Sequence, residues 1–272
     1  MGLATRVEPA EGAPAAAVVW HDLECGHYLA DQPLWRELAE HARVDAPGAR
    51  ILDVGAGTGR VALDLARAGH AVTALDLDAE LLGALDQRSA SETLTIETVC
   101  ADARSFALGG DGFALCIAPM QTVQLLGGSA GRVAFLERAR AHLLPGALVA
   151  CAIVTEIEPF DCAAGDLGPS PEVARIDDVE YVSHAVRVEL HGRGFRIERE
   201  RTITQIDRSS RVATPKRAVH APERERDVID LDHVSARELK REGLEAGLSY
   251  VGVREIPATD DHVGSAVVML GA

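Results

Sequence analysis

The stretch that most limits what this chain can fold into is Arg50-Ile51-Leu52-Asp53-Val54 followed at once by Gly55-Ala56-Gly57-Thr58-Gly59. The first five residues read as a short buried strand. The apolar-periodic run from Val61 to Ala68, closed by Gly69, reads as a helix. Gly55 and Gly57 allow the sharp turn between them and a close approach of backbone to a ligand, and Gly59 lets the helix lie against the strand. A strand that enters a helix in this way belongs to an open α/β sheet, whose ligands bind beyond the carboxyl ends of the strands.

The flanking sequence continues that grammar. Ala71 to Leu75, Leu94 to Val99, Phe113 to Ala118 and Ala147 to Val154 read as further strands. Ala79 to Arg88 and Arg132 to Leu143 read as helices, and Pro145-Gly146 as the turn into the fifth strand. The expected fold is α/β: a Rossmann-like, doubly wound, mostly parallel sheet. The pattern breaks after Thr155, with a loop to about Asp178. Period-two alternation follows in Val182 to Leu190, Phe195 to Ile206 and Arg226 to Leu231, which predicts an inserted antiparallel sheet. Ser235-Ala236-Arg237-Glu238 fits a capping box for a helix to Ala246. Leu248 to Ile256 and Ser265 to Leu270 then read as a final antiparallel hairpin at the sheet edge. The expected layout is a loose tail over 1–15, an N-terminal helical lid over 16–48, a core over 49–178, the inserted sheet over 179–232, and a core helix with two strands over 233–272.

Composition removes several classes. Basic residues number 27 and acidic residues 42, a net charge of −15, which argues against a general binder of nucleic-acid phosphates. The longest apolar run, Ala147 to Val154, is far short of the ~20 residues a spanning helix needs, so no membrane partner is expected. Glu8 and Glu11 interrupt any secretory pattern, and Arg6 stands where myristoylation wants Ser or Thr. Five cysteines without a C-x-x-C pair speak against a disulfide framework or zinc knuckle and for a reducing, cytoplasmic setting. From Arg187 to Arg226 there are eleven basic and six acidic residues, net +5. That stretch reads as a solvated face, with a homodimer contact or anion-recognition surface as the second reading.

The acids at the strand ends carry the chemistry. The spacing is G-x-G-x-G, where a dinucleotide site wants G-x-G-x-x-G. Asp53, two residues before the first glycine, would repel a pyrophosphate and suits a cationic amino group. Asp76 ends the second strand, where a carboxylate accepts from two ribose hydroxyls. Asp102 follows the third, in reach of an adenine amino group. Three acids in register with that glycine spacing resemble the class I S-adenosylmethionine-dependent methyltransferases over Val44 to Val154. The resemblance implies S-adenosylmethionine as cofactor and S-adenosylhomocysteine as product. It implies Asp53, Gly55, Ala56, Gly57 and Gly59 around the methionyl end, Asp76 on the ribose with Leu77 against the adenine, and Asp102 and Ala103 at the adenine edge. It implies Ala118, Pro119, Met120 and Gln121 along the sulfonium and methyl.

Ala118-Pro119-Met120-Gln121 lacks the Asn/Asp-Pro-Pro-Tyr of base N-methyltransferases, and Cys116 lacks the proline that precedes a cytosine nucleophile. No paired glutamates follow the fourth strand, and no carboxylate or Cys/His set suggests a metal. A metal-independent enzyme for a small-molecule acceptor remains. Leu23-Glu24-Cys25-Gly26-His27-Tyr28 to Trp35, and Ala258 to Ser265, are similar to small bacterial methyltransferases of natural-product biosynthesis, including those that methylate indole C3 of tryptophan diketopiperazines. N- or O-methylation of another metabolite, or a noncatalytic S-adenosylmethionine-binding regulator, are the alternatives. Glu24 and His233 are expected to flank the acceptor, with Tyr28 a further catalytic candidate and His21 and His262 other bases by position.

Overall fold

In a computed structural model describing residues 14–110, 112–206, 221–259 and 262–272, the strand–glycine–helix unit lies inside a seven-stranded sheet. The helices are α1 (Ala16–Cys25), α2 (Gln32–Asp45), α3 (Arg60–Arg67), α4 (Ala79–Ser91), α5 (Gly128–His142) and α6 (Ala236–Glu245). The first strands are β1 (Arg50–Val54), β2 (Val72–Asp76), β3 (Ile96–Cys100), β4 (Phe113–Ala118) and β5 (Leu143–Ile153). Then come β6 (Phe160–Asp161), β7 (Glu172–Ile176), β8 (Val179–His191), β9 (Gly194–Gln205), β10 (Glu223–Asp232), β11 (Ser249–Ile256) and β12 (Ser265–Gly271). The chain divides into two compact units, one of residues 28–157 and 231–272, the other of residues 1–27 and 158–230.

The larger unit holds the sheet β11-β12-β5-β4-β1-β2-β3. Strands β1 to β5 run parallel, and the β11–β12 hairpin is antiparallel at the edge beside β5. Alternate residues face opposite sides of a strand, and both sides are covered. Ile51, Leu115, Ile117, Ala150 and Ala152 share a core with Trp35 and Leu38 of α2, Val61 and Leu65 of α3, and Leu85 of α4. Leu52, Val54, Cys116, Val149 and Cys151 share the other with Phe135 and Leu136 of α5 and Leu239 of α6. Chain order reverses between β1 and its neighbour β4, so Asp53, opposite Ala74 and Ile117 and one residue before the strand's end, lies at the switch point.

The smaller unit is the expected antiparallel sheet, ordered β10-β9-β8-β6, with β7 also paired to β8. Val19, Trp20 and Leu23 of α1 pack on Tyr181, and Trp20 meets the Tyr181 ring edge-on at 5.4 Å. Helix α1 therefore belongs to this unit and α2 to the core, which corrects the single lid expected over 16–48. The break has local causes. A Cβ at Gly26 would sit 2.6 Å from the Asp22 carbonyl, and Pro33 opens α2, where its missing N–H costs nothing. The loop expected up to Asp178 also contains strand: β7 turns through Asp177-Asp178 into β8, with Asp177 at φ +52, as a two-residue hairpin turn demands. Pro145-Gly146 is a bulge within β5, where the register to β4 jumps from Phe113↔Leu143 to Leu115↔Leu148. Most of the expected tail, residues 207–220 of the expected inserted sheet, and Asp260-Asp261 lie outside the described residues.

Candidate functional site

The glycine loop is tight because its surroundings leave no room for side chains. Gly55 sits at φ +72, where a Cβ would lie 2.5 Å from Thr122 Oγ1. Gly59 sits at φ +93, and a Cβ there would collide with Leu85. The Gly57 N–H donates to Asp76 Oδ2 at 2.7 Å, and the Asp78 N–H donates to Asp76 Oδ1 at 2.9 Å. Asp76 thus pins the loop as well as ending β2. Each of its oxygens keeps a further lone pair for a hydroxyl. Ala56 is buried beneath the loop, and Leu77 stands 70% exposed beside Asp76, an apolar surface with nothing packed on most of it.

Asp53 is the exceptional group. It is 1% exposed and neither carboxylate oxygen has a hydrogen-bond partner, the Ala62 backbone nearby falling short of bonding geometry. Burial pushes it up to about 7; Arg60 opposes the rise, while Asp76 and Asp31 add to it. A buried, unsatisfied carboxylate is costly unless something pairs with it. A glycine-rich turn, an unpartnered buried carboxylate on the strand before it and an acid bonded to the turn fit a ligand with an ammonium end and a ribose.

Asp102 is already engaged. It accepts from Arg104 Nε at 2.9 and 3.1 Å, from an Arg104 terminal nitrogen at 2.6 Å, and from the Arg104 N–H at 2.8 Å. Arg104 holds it at about 2. Ala103 lies between them, half-buried. After β4, Ala118 and Pro119 are buried, Met120 takes φ +54, and Gln121 precedes a short 3-10 turn, Thr122–Leu125. Gln124, a residue the sequence does not flag, is 1% exposed. Its amide accepts from the Val154 N–H at 2.7 Å and donates to the Val154 carbonyl at 3.1 Å and the Asp232 carbonyl at 2.7 Å. Cys116 is fully buried, and burial pushes its thiol well above the ordinary value, an inert core group.

A second unforeseen cluster joins the chain before α2 to the glycine loop. Arg60, with a side chain 7% exposed, donates to both oxygens of Asp31 at 2.5 and 2.7 Å and to the Tyr28 carbonyl at 2.6 Å. Its guanidinium lies 5.3 Å from the Tyr28 ring centroid. The other ring contact of Tyr28 is His262, at 4.9 Å. Burial pushes the Tyr28 phenol up, and Ser265 lies beside the hydroxyl without reaching bonding geometry. Arg60 carries a signal in hindsight, as the residue directly after the glycines. Asp31 carries none beyond that of a helix cap.

Glu24 lies in the other unit, within an ion-pair network. It accepts from Arg201 at 2.8 Å through each oxygen and from the Ser183 hydroxyl at 2.7 Å. Burial would raise it, but Arg201, Arg199 and Ser183 outweigh burial and hold it below the ordinary carboxylate range. A carboxylate so bound orients its neighbours and is a poor proton acceptor. The cations of this sheet are largely paired: Arg187 with Asp161 and Glu189, Arg196 with Asp230, Arg199 with Glu172, and Arg226 with Glu198. His233 lies in the core unit, just before the α6 capping box. His21 lies on α1. Among the described residues no group of three or more His, Cys, Asp or Glu could hold a metal, and no helix is long and apolar enough to cross a membrane.

Residues 51–146 match the model of a methyltransferase domain. Uncharacterised proteins of Mycobacterium tuberculosis and Mycobacterium bovis are 39% identical over 67 residues, 25% of this chain, and the match spans only 24% of their length. The solved S-adenosylmethionine-dependent methyltransferase of Clostridium acetobutylicum superposes with a TM-score of 0.64 at 13% identity, covering 93% of this chain and 96% of that one. The sugar N-methyltransferase KedS8 of a Streptoalloteichus species gives 0.67 at 16%, covering 98% of both. CalS10, an amino pentose methyltransferase of Micromonospora echinaspora, gives 0.62 at 20%, covering 97% of this chain and 99% of that one. The chain thus has the fold of the S-adenosylmethionine-dependent methyltransferases, with the methyltransferase-domain match falling on residues 51–146.

Proposed function

We propose that the protein moves a methyl group from S-adenosylmethionine to a small-molecule acceptor of the natural-product kind, with the amine of an amino sugar as the first candidate. The observation that carries the cofactor half is Asp53, a buried carboxylate with no hydrogen-bond partner on the strand that leads into the glycine turn. The acceptor half rests on the kind of molecule that the similar structures KedS8 and CalS10 are named for. The structures compared above are named for sugar and amino pentose substrates where a substrate is named, and the C3-methylation of tryptophan diketopiperazines expected from sequence rests on its own resemblance alone.

The bound cofactor supplies an electrophilic methyl. The chain's task is to hold an acceptor close, aligned and shielded from water. Asp53 would receive the ammonium, Asp76 the ribose hydroxyls, and Leu77 the adenine face. Ala118 to Gln121 would line the reacting end. An amine acceptor reacts as its free base, so one proton must leave it. His233 keeps that role in this reading, since imidazole is the usual group for such a transfer. Glu24, locked by two arginines, is a positioning residue, and Tyr28 is the further candidate for touching the acceptor.

The test is incubation with S-adenosylmethionine and a panel of amino-sugar, amine, hydroxyl and indole metabolites, with S-adenosylhomocysteine measured by mass spectrometry. Methyl uptake by amino sugars above the other classes is expected. Turnover by indoles alone would reverse the choice of acceptor. Cofactor binding with no turnover across the panel would favour a regulatory protein.

A further inference from the structure

Asp102, the acid expected at the adenine edge, has no acceptor position to spare. The end of β3 lies against the end of β2. Cys100 stands opposite Asp76, the Ala101 N–H donates to the Asp76 carbonyl at 2.9 Å, and the Cys100 thiol donates to the Leu77 carbonyl at 3.5 Å. In the proposed reading a base laid on Leu77 turns its edge toward the residues that follow β3, and Asp102 is the first acid among them. A carboxylate offers about four lone pairs. Arg104 meets all of them from the same turn. Its backbone N–H and Nε reach Oδ1 at 2.8 and 2.9 Å, and its Nε and Nη2 reach Oδ2 at 3.1 and 2.6 Å. The arginine side chain lies along the start of α5, where a Cβ at Gly131 would touch its Cδ at 3.4 Å and one at Gly127 its Nη1 at 3.7 Å. With side chains 48% and 31% exposed, the attraction between the two charges adds little to stability. What counts is occupancy. A 6-amino group reaches Asp102 only by taking the place of a guanidinium N–H, which exchanges one hydrogen bond for another and a charged donor for a neutral one.

We infer that Arg104 fills the subsite for the 6-amino group of the cofactor's base, so that this chain holds the purine by its face and its ribose and reads the amino group weakly. The inference rests on the cofactor reading above. Arg104 is then a specificity-determining residue and takes no part in methyl transfer. Without its guanidinium, Asp102 keeps one bond, from the backbone N–H of residue 104. The remaining lone pairs would accept the amino group in a charge-assisted bond, and the site would become selective for adenine.

The experiment is calorimetric titration with two probes. One is S-adenosylhomocysteine. The other is its purine analogue, in which hydrogen replaces the 6-amino group and nothing else changes. The wild type should bind the two within ~3-fold of each other. Arg104→Met keeps an unbranched stem along α5 and removes the competing donors. It should bind S-adenosylhomocysteine more tightly than the wild type does and prefer it over the analogue by at least ~10-fold, the worth of one bond to a charged acceptor. The double variant Arg104→Met/Asp102→Ala should lose that preference and return to within ~3-fold. A merely structural role for Arg104 would change the affinity for both probes alike and leave their ratio in place. A wild type that prefers S-adenosylhomocysteine by more than ~3-fold, or a ratio unmoved by Arg104→Met, overturns the inference while the cofactor reading stands. Failure of the wild type to bind either probe overturns both. The wild-type ratio needs no variant, and it decides alone if Arg104→Met does not fold.

Discussion

At the residue scale, Asp53 is the point at which stability and function pull apart. Its carboxyl keeps its proton to about 7 in the fold, whereas the unfolded chain releases it near 3.8. Between those values the unfolded state binds fewer protons, so this group's contribution to stability is full below about 4 and is lost as pH rises through 7. The gap corresponds to roughly 4 kcal/mol. Asp53→Asn should therefore flatten the fall in stability between pH 4 and 8 and make the ligand-free protein more stable at pH 8, while weakening S-adenosylhomocysteine binding. Urea denaturation at a series of pH values measures the first effect; an unchanged slope would show that Asp53 does not bury its proton. Asp76→Ala removes the acceptor of the Gly57 N–H as well as the proposed ribose acceptor. It should cost several kcal/mol of cofactor binding, since bonds to a charged group are worth ~1.5–3 kcal/mol each. Calorimetry showing unaltered affinity would remove Asp76 from the site. The placement of both acids near strand ends was legible in the sequence, because short apolar runs ending in Gly55 and in Asp76-Leu77-Asp78 mark where β1 and β2 stop. Arg60 and Asp31 were not, because the partners lie 29 positions apart and meet only when α2 and α3 cover the same face of the sheet.

At the scale of elements, Gln124 ties the turn after β4 to the two points where the core chain leaves for residues 158–230 and returns from them. Gln124→Leu removes the partner of the buried Val154 N–H and carbonyl and of the part-buried Asp232 carbonyl. A loss of ~2–4 kcal/mol in urea denaturation is expected; a loss under ~0.5 kcal/mol would mean that the turn repacks. Arg132 does a similar job between α5 and α6, bonding Glu242 at 2.8 and 3.0 Å, with both side chains nearly sealed. Periodicity found these helices and the capping box at Ser235, which has both of its reciprocal bonds. It missed the division of the N-terminal segment, because residues on both sides of Gly26 carry helical spacing and only packing decides that α1 covers Tyr181 while α2 covers β4. It also missed β7, whose turn is two aspartates, a weaker signal than Asn-Gly.

For the whole molecule, the proposed reading places a nucleoside with a charged tail at the switch point between β1 and β4, where the glycine loop and the acids near the strand ends meet. In the arginine-rich sheet, read from sequence as a solvated face, five arginines among the described residues, Arg187, Arg196, Arg199, Arg201 and Arg226, form internal ion pairs. Glu24→Gln should disturb that network, shifting denaturation while S-adenosylhomocysteine affinity changes less than ~3-fold, well under the 1.4 kcal/mol of a tenfold change. A large loss of cofactor affinity would give Glu24 a part in the cofactor site. The most direct test of the account is calorimetric titration of S-adenosylhomocysteine into the wild type and Asp53→Asn at pH 8. The account predicts saturable binding at one site per chain in the wild type and at least ~10-fold weaker binding in the variant, the worth of one charge-assisted bond. Equal affinity in the two proteins, or no binding to either, would contradict it.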